Sequence, residues 1–253
     1  MGSISLSRLR KFNFYAAALH AVQAIAVLFL AKNFSLPVTT SYLDYNKDSQ
    51  NLFAANHTLF HLSMPSLIAV FFLLSAVFHL AIATFYRKKY NQDLGRGINK
   101  ARWYEYSLSA AVMMVAIAML VGVYDLTSLI MIFALTAIMN MMGLVMEVYN
   151  QGREAVNWLA YKIGSFAGFI PWLVVIIYFW ATRFGNGRPP TFVYFIFISI
   201  FVFFSCFALN MYLQYKKIGK WRDYLYGERM YMILSLVAKS LLAWQVFAGT
   251  LRP

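Results

Sequence analysis

Residues 235–245 read SLVAKSLLAWQ, an apolar run with a lysine, Lys239, near its centre. The run belongs to an apolar segment from about residue 228 to 250, which is long enough to cross the hydrocarbon core of a bilayer as one helix. An ammonium group near the middle of such a helix is energetically costly, so we expect it to be paired, neutral or covalently modified. The segment therefore predicts a membrane span with a buried group that needs a partner.

Six further apolar segments predict the rest of the fold. They cover about residues 10–32, 64–86, 101–122, 127–149, 157–183 and 191–215 of a chain that is 61% apolar and 12% charged. We predict an all-α membrane protein, a seven-transmembrane helix bundle formed as one domain by residues 1–253. The first segment is too long for the apolar core of a cleaved signal peptide, so we interpret it as a span. Cys206 is the only cysteine, which excludes an intramolecular disulfide.

The distribution of basic residues orients this bundle. Sixteen of the 22 Lys and Arg residues lie on the side of the N-terminus, in the tail and in the loops near residues 87–102, 153–162 and 216–229. Five lie on the other side, and Lys239 is in the membrane; the five are Lys32, Lys47, Arg183, Arg188 and Arg252. Because basic residues collect in cytoplasmic loops, we expect a cytoplasmic N-terminus and an extracellular C-terminus. The net charge of +13 then reflects topology and attraction to membrane lipid, and not a nucleic-acid partner.

Two segments suggest how the helices and subunits pack. The external loop at residues 33–63 contains VTTSYLDY and LFAANHTLF on either side of the turn-rich NKDSQN, which predicts a β-hairpin between helices 1 and 2. A lone hairpin is marginally stable, so we expect it to pack on the helices or on a second subunit. The stretch GSFAG places Gly164 and Gly168 four residues apart, a spacing that favours either a dimer contact or internal helix packing.

Glu105 is the expected partner of Lys239, because it is the one carboxylate well inside an apolar segment of the sequence. Further polar residues share helix faces at spacings of three or four, which predicts a polar cavity beside the pair. They are His20 with Gln23, Ser75 with His79, Ser109 with Glu105, and Ser235 with Lys239. Two histidines and a carboxylate resemble a metal set, but they come from three helices without a ligand motif, so no metal site is predicted. Aromatic residues are dense in helices five to seven, where they form either plain packing or the wall of an elongated apolar site. They include Trp172, Phe203, Phe204, Phe207 and Trp244.

A mid-membrane lysine on the last of seven helices, with a carboxylate on the third, resembles the retinal-binding rhodopsins. The expected cytoplasmic N-terminus and the stretches RWYEYSLS, YLQYKKIGKW, GERMY and SLVAKSLLAWQVFAGTL are similar to the heliorhodopsins over nearly the whole chain. The resemblance implies all-trans retinal bound to Lys239 as a Schiff base, with Glu105 as its counterion. It also implies that His20, Gln23, Ser75, His79, Ser109 and Ser235 form the polar cavity and that Trp244 contacts retinal; Phe203, Phe207 and Trp172 would wall the site. We expect Glu147 to be a polar group near the cytoplasmic end.

We therefore predict a light-sensing photoreceptor in the cell membrane that signals to a cytoplasmic partner, forms a homodimer and is not an enzyme. Proton pumps that resemble bacteriorhodopsin carry two further acids, at the positions of Ala116 and Ser235 here, so no chain of carboxylates crosses the membrane. The alternatives are a light-driven pump or channel, and a transporter or scaffold in which Lys239 and Glu105 are a structural pair.

Overall fold

Seven long helices dominate the computed structural model, which describes residues 5–185 and 190–252. Arg188, one of the basic residues counted above, lies outside these ranges. Within the described ranges, seven helices are long and apolar enough to cross a membrane, which confirms the predicted fold class. They are α1 (Leu6–Leu30), α2 (Met64–Ala83), α4 (Lys100–Leu120), α5 (Leu126–Tyr149), α6 (Leu159–Ala181), α7 (Thr191–Tyr215) and α8 (Tyr224–Val246), which a π-helical turn extends to Leu251.

Polar caps define where several of these helices begin. The side chains of Ser5, Ser63, Asn99, Asp125 and Asp223 each accept a hydrogen bond from a backbone N–H in the first turn of the helix that follows. The first N–H groups of a helix have no partner inside it, so such caps stabilise its start. The caps therefore separate spans that the apolar composition alone delimits only to within several residues.

A short helix, α3 (Arg87–Gly95), occupies a stretch that we expected to be a loop. Tyr90 and Leu94 lie one turn apart on it and are buried against Leu9, Ile82 and Met232. The other residues of α3 are mostly charged or polar, so α3 is an amphipathic helix that covers the ends of α1, α2 and α8. The basic residues of this stretch hid its apolar stripe in the sequence.

The spans form a ring in which α1 packs on α2, α2 on α4, α4 on α5, α5 on α6, α7 on α8, and α8 on α1. The starts of α1, α4, α6 and α8 share one end of the bundle, which we call the N-terminal end. Between α6 and α7, contact is made by aromatic rings, as where Trp172 meets Phe201 and Phe204 at centroid distances of 5.2 and 5.6 Å. Large side chains thus hold these two helices apart and leave room for a cavity.

The predicted hairpin is confirmed at the opposite end of the bundle. Strands β1 (Ser35–Asn46) and β2 (Asn51–Ser63) pair antiparallel, with an irregularity after Val38. Val38 is buried, and the backbone N–H of Thr39 donates to the carbonyl of Tyr124 at 2.8 Å, just before α5. The base of the hairpin therefore packs on the helices. Its outer part carries exposed apolar side chains, of which Leu43 and Leu52 are 69% and 65% exposed.

The glycines of GSFAG face α5. A Cβ atom at Gly164 would lie 2.9 Å from the Cβ of Met142, and one at Gly168 would lie against Met139. Contacts this close require residues without a side chain. Gly164 and Gly168 thus allow α5 and α6 to approach, and of the two interpretations given above internal packing is the one that the structure contains.

Candidate functional site

Lys239 and Glu105 form a buried ion pair between α8 and α4. Lys239 Nζ lies 2.7 Å from Glu105 Oε1, and the two residues are 3% and 4% exposed. Lys239 Nζ also donates to Ser235 Oγ at 2.9 Å, one turn earlier on α8, while Ser75 Oγ of α2 donates to Glu105 Oε1 at 2.6 Å. Each charge therefore has an opposite charge and a neutral hydrogen-bond partner, the condition under which a buried pair is tolerated.

The two histidines predicted for the polar cavity lie together beside this pair. The rings of His20 and His79 stack with their centroids 5.6 Å apart. His79 Nδ1 lies 2.7 Å from Asn13 Oδ1; because Asn13 Nδ2 donates to the carbonyl of Leu9, the geometry assigns the donated proton to His79 Nδ1. His20 is fully buried, and neither of its ring nitrogens has a hydrogen-bond partner among the described residues.

Gln23 and Trp244 hydrogen-bond to each other. Trp244 Nε1 donates to Gln23 Oε1 at 3.0 Å and so joins α8 to α1. Trp244 is 37% exposed and is not among the residues that line the large cavity described next. The resemblance implied a retinal contact for Trp244, whereas the structure places this side chain on the α1 side of Lys239.

A cavity of about 440 Å³ lies among α4, α5, α6, α7 and α8. Lys239, Ser235 and Ser109 contribute polar groups to its lining, and Ser109 Oγ has no partner among the described residues. Most of the lining is apolar or aromatic, including Trp172, Phe201, Phe204 and Phe207. Its volume falls within the ordinary range for pockets that enclose small ligands.

Phe203, which we also predicted to wall the site, does not line this cavity; Phe201 and Phe204 do. The part of α7 around these phenylalanines is apolar on nearly all sides, so no hydrophobic periodicity was present from which to decide which phenylalanines face inward. Asn140 of α5 is a polar lining residue that we did not predict, and its side chain bonds to the carbonyl of Thr136 within the same helix.

A second buried charge cluster lies at the N-terminal end of the bundle and was missed. Arg102 of α4 forms ion pairs with Glu147 of α5 and Glu228 of α8, and all three side chains are at most 4% exposed. Glu105 is therefore not the one deeply buried carboxylate in the spans. Arg102 and Glu228 had been assigned to cytoplasmic loops, where charge is usually solvated; the aromatic residues beside both, in RWYEY and YLYGERMY, were the signal of burial.

The sequence itself matches a known family. A model of the heliorhodopsin family matches residues 9–251. The chain belongs to the heliorhodopsin family. Heliorhodopsins are light-sensing proteins with a retinal chromophore and are not classical enzymes, so retinal is the cofactor that this family membership implies. A comparison with curated proteins finds no match.

Solved structures show the same fold at low sequence identity to this heliorhodopsin. A light-driven proton pump from Leptosphaeria maculans has a TM-score of 0.67 and 13% identity, over 98% of this chain and 97% of the pump. Cyanorhodopsin from the cyanobacterium Tolypothrix sp. NIES-4075 has a TM-score of 0.64 and 14% identity, over 98% of this chain and 96% of the other. At such identities the likeness concerns the fold.

The residues present in this heliorhodopsin fit retinal. The cavity is mostly apolar, as an elongated polyene requires, and a primary amine, that of Lys239, lies in its wall. The amine is buried beside a carboxylate, so a positive charge retained at Nζ after covalent attachment would keep its partner. The donor set of the site and the apolar lining of its cavity thus agree with the cofactor of the family.

Proposed function

We propose that this heliorhodopsin senses light through all-trans retinal bound covalently to Lys239, with Glu105 as the counterion. The observation that carries the proposal is that Lys239 both lines the apolar cavity and lies 2.7 Å from Glu105. Once bound, retinal supplies a chromophore that absorbs visible light and changes shape. The amine of Lys239 would attach it, and the aromatic lining residues Trp172, Phe204 and Phe207 would exclude water from the cavity.

Glu105 holds the proton on Lys239 Nζ, because a buried carboxylate at this distance favours the charged form of its partner. Ser75 and Ser235 orient the two groups by their hydrogen bonds. When Nζ gives up its proton after illumination, His20 and His79 are the proposed acceptors, because each neutral ring has a nitrogen that can bind a proton. The positive charge then moves within the site from Nζ to a histidine, and no proton leaves the protein.

A sensor is favoured over a pump. One structural neighbour is a light-driven proton pump, but the positions at which such pumps carry two further acids are occupied here by Ala116 and Ser235. Both are buried, and neither side chain carries a charge. We therefore expect illumination of vesicles that contain the protein to produce neither a pH change nor a current, and sustained proton transport would support the pump instead.

The orientation follows from the distribution of basic residues, with the N-terminus in the cytoplasm and the C-terminus outside. The hairpin is then extracellular, and its exposed outer part, including Leu43 and Leu52, is the proposed contact of a homodimer. The basic surface at the N-terminal end is the proposed site for anionic lipid and for a cytoplasmic signalling partner. Replacing Leu43 and Leu52 with Asp should yield monomers in detergent, and an unchanged mass would argue against this contact.

The counterion assignment is tested by the colour of Glu105→Gln. Removing the negative charge next to Lys239 should either shift the visible absorption band strongly to longer wavelength or release the proton that Glu105 holds on Nζ, which also changes the spectrum. The matched control is Glu154→Gln, a change at an exposed glutamate outside the spans, which should leave the band in place. A band that does not move in Glu105→Gln would contradict the role of Glu105.

A further inference from the structure

Charge is unbalanced in the cluster of Arg102, Glu147 and Glu228. One guanidinium faces two carboxylates, and no other Lys or Arg side chain of the described residues forms an ion pair with either. Two carboxylates that share a buried site resist being ionised together, and one proton held between them removes the excess charge. The cluster therefore needs one proton more than its separate members would carry at neutral pH.

The hydrogen bonds leave Glu147 no room for that proton. Oε1 of Glu147 accepts from Arg102 and from the hydroxyl of Tyr224 at 3.0 Å. Oε2 accepts from the backbone N–H of Asn99 at 2.9 Å and from Trp103 Nε1 at 2.6 Å. Each oxygen has two donors, so a proton on either would displace one of them. Glu147 is thus the permanent anion of the cluster.

Glu228 accepts fewer hydrogen bonds than Glu147. Its Oε1 accepts from Asn99 Nδ2 at 2.6 Å and from the hydroxyl of Tyr90 at 3.2 Å. Burial and the neighbouring Glu228 raise the pKa of Tyr90 on α3 well above its usual range, so this hydroxyl stays protonated. Oε2 of Glu228 accepts only from Arg102 among the described residues, which leaves a position on Oε2 for a proton.

A small cavity connects Glu228 to the photochemical site. It has a volume of about 20 Å³, and its lining includes Glu228, Arg102, Glu105 and His79. That is room for about one water molecule. Arg102 Nε is buried without a partner among the described residues, so a water in this cavity would have a donor in Arg102 and acceptors in the two carboxylates.

From these contacts we infer that Glu228 is a proton store for the Lys239–Glu105 pair: it holds a proton at rest and passes it through one water to Glu105 when Lys239 no longer neutralises that carboxylate. This inference rests on the proposed function, which supplies the event that removes the positive charge from Lys239 Nζ. The step is a proton transfer alone. An O–H bond of Glu228 breaks and one forms on Glu105, and the new anion at Glu228 is neutralised by Arg102, which already contacts its Oε2.

The transfer responds to every titratable group that faces Glu228. These groups are Tyr90 of α3, Arg102, Glu105 and Tyr106 of α4, Glu147 of α5, Tyr224 of α8, and His79 of α2 across the small cavity, and Tyr231 of α8 lies against Arg102. Arg102 is the one permanent cation of this set. The tyrosines are neutral donors and Glu147 stays an anion, so the position of the proton is decided between Glu228 and Glu105, which both line the small cavity.

Infrared spectroscopy of the full-length protein tests the store at rest, with or without retinal. The carbonyl stretch of a buried carboxylic acid should be present in the dark at neutral pH and should shift when only glutamate is labelled with ¹³C. Glu228→Asp keeps the charge count but should move the band, whereas the matched variant Glu147→Asp should leave it in place. No such band, or a band moved by Glu147→Asp alone, would overturn the inference. If Glu228→Asp does not fold, the labelled wild-type protein still decides whether a neutral glutamic acid exists at rest.

The light-driven step needs the retinal-bound protein. Illumination should diminish the Glu228 band and create a second carboxylic acid band. In Glu105→Asp this second band should no longer appear at the frequency that it has in the wild-type protein. An unchanged Glu228 band in a protein that is coloured and bleaches normally would overturn the transfer. A protein without a visible band would instead contradict the proposed function, while the dark measurement on the same protein would still test the proton at Glu228.

Discussion

The Lys239–Glu105 pair provides the sharpest energetic prediction. Glu105→Gln keeps the size of the side chain and a carbonyl oxygen that can accept from Ser75 Oγ, but it leaves Lys239 without its charge partner. Lys239→Met has the converse effect, because it leaves Glu105 as a buried anion. In the double variant neither charge remains, so the two single changes should not add.

The structure sets the magnitude. Two unit charges 2.7 Å apart, the Nζ–Oε1 distance, attract by about 6 kcal/mol at an effective dielectric constant of about 20. The cost of removing both charges from water offsets much of this attraction, and removal of one partner of a buried pair typically costs about 3–5 kcal/mol. We expect each single variant to lose about that much free energy of unfolding in the retinal-free protein. The free energy of unfolding lost by the double variant should be about 3 kcal/mol smaller than the sum of the two single losses.

Reversible denaturation by detergent, followed by the circular dichroism of the helices, measures these free energies. Ser109→Ala is a suitable control, because Ser109 Oγ is buried without a partner among the described residues and its removal should be close to neutral. Losses below about 1 kcal/mol in both single variants, with simple additivity in the double variant, would refute the ion pair.

Three further predictions concern other parts of the structure. Gly164→Ala should destabilise the fold by about 1–3 kcal/mol, because the new Cβ would lie 2.9 Å from the Cβ of Met142. The control variant Gly95→Ala should not, because the space around Gly95 is open. Equal thermal stabilities of the two variants would contradict the α5–α6 contact. Asp125→Ala should cost about 1 kcal/mol, since Asp125 caps α5, and Asp125→Asn should retain most of the cap. Hydrogen bonds from Thr127 and Ser128 lower the pKa of Asp125 in the folded protein. The contribution of Asp125 to stability is therefore complete above its unfolded pKa of about 4 and is lost as the pH falls through the lower folded pKa. A stability difference between Asp125→Ala and the wild-type protein that grows below pH 4 would contradict this prediction.

The main features of the fold were predictable because each depends on local pattern. Apolar length defines the spans, and alternation and turn residues predict the hairpin. The pairing of Lys239 with Glu105 also followed, because a charge at mid-membrane depth needs a partner and the sequence of the spans offered one candidate. Ser235 was found through its helical spacing of four from Lys239, and the structure brings its hydroxyl to within 2.9 Å of Nζ.

What the sequence did not reveal depends on helix rotation and on exact span ends. Phe203 and Phe204 are equivalent in an all-apolar helix, and only the packing of α7 on its neighbours decides that Phe204 faces the cavity. Arg102 and Glu228 lie within the first two turns of α4 and α8, so a shift of a few residues in the predicted ends changes them from loop residues to buried ones. Asn13 was overlooked because its partner, His79, comes from another helix.

The most direct test of the central claim is the colour of the protein. Expressed in the presence of all-trans retinal, the wild-type chain should show a visible absorption band, and so should Lys88→Ala, which removes an exposed lysine of α3. Lys239→Ala should be colourless although it is folded, because no other lysine of the described residues lines the cavity. A visible band that survives in Lys239→Ala would contradict the assignment of Lys239 as the residue that binds retinal.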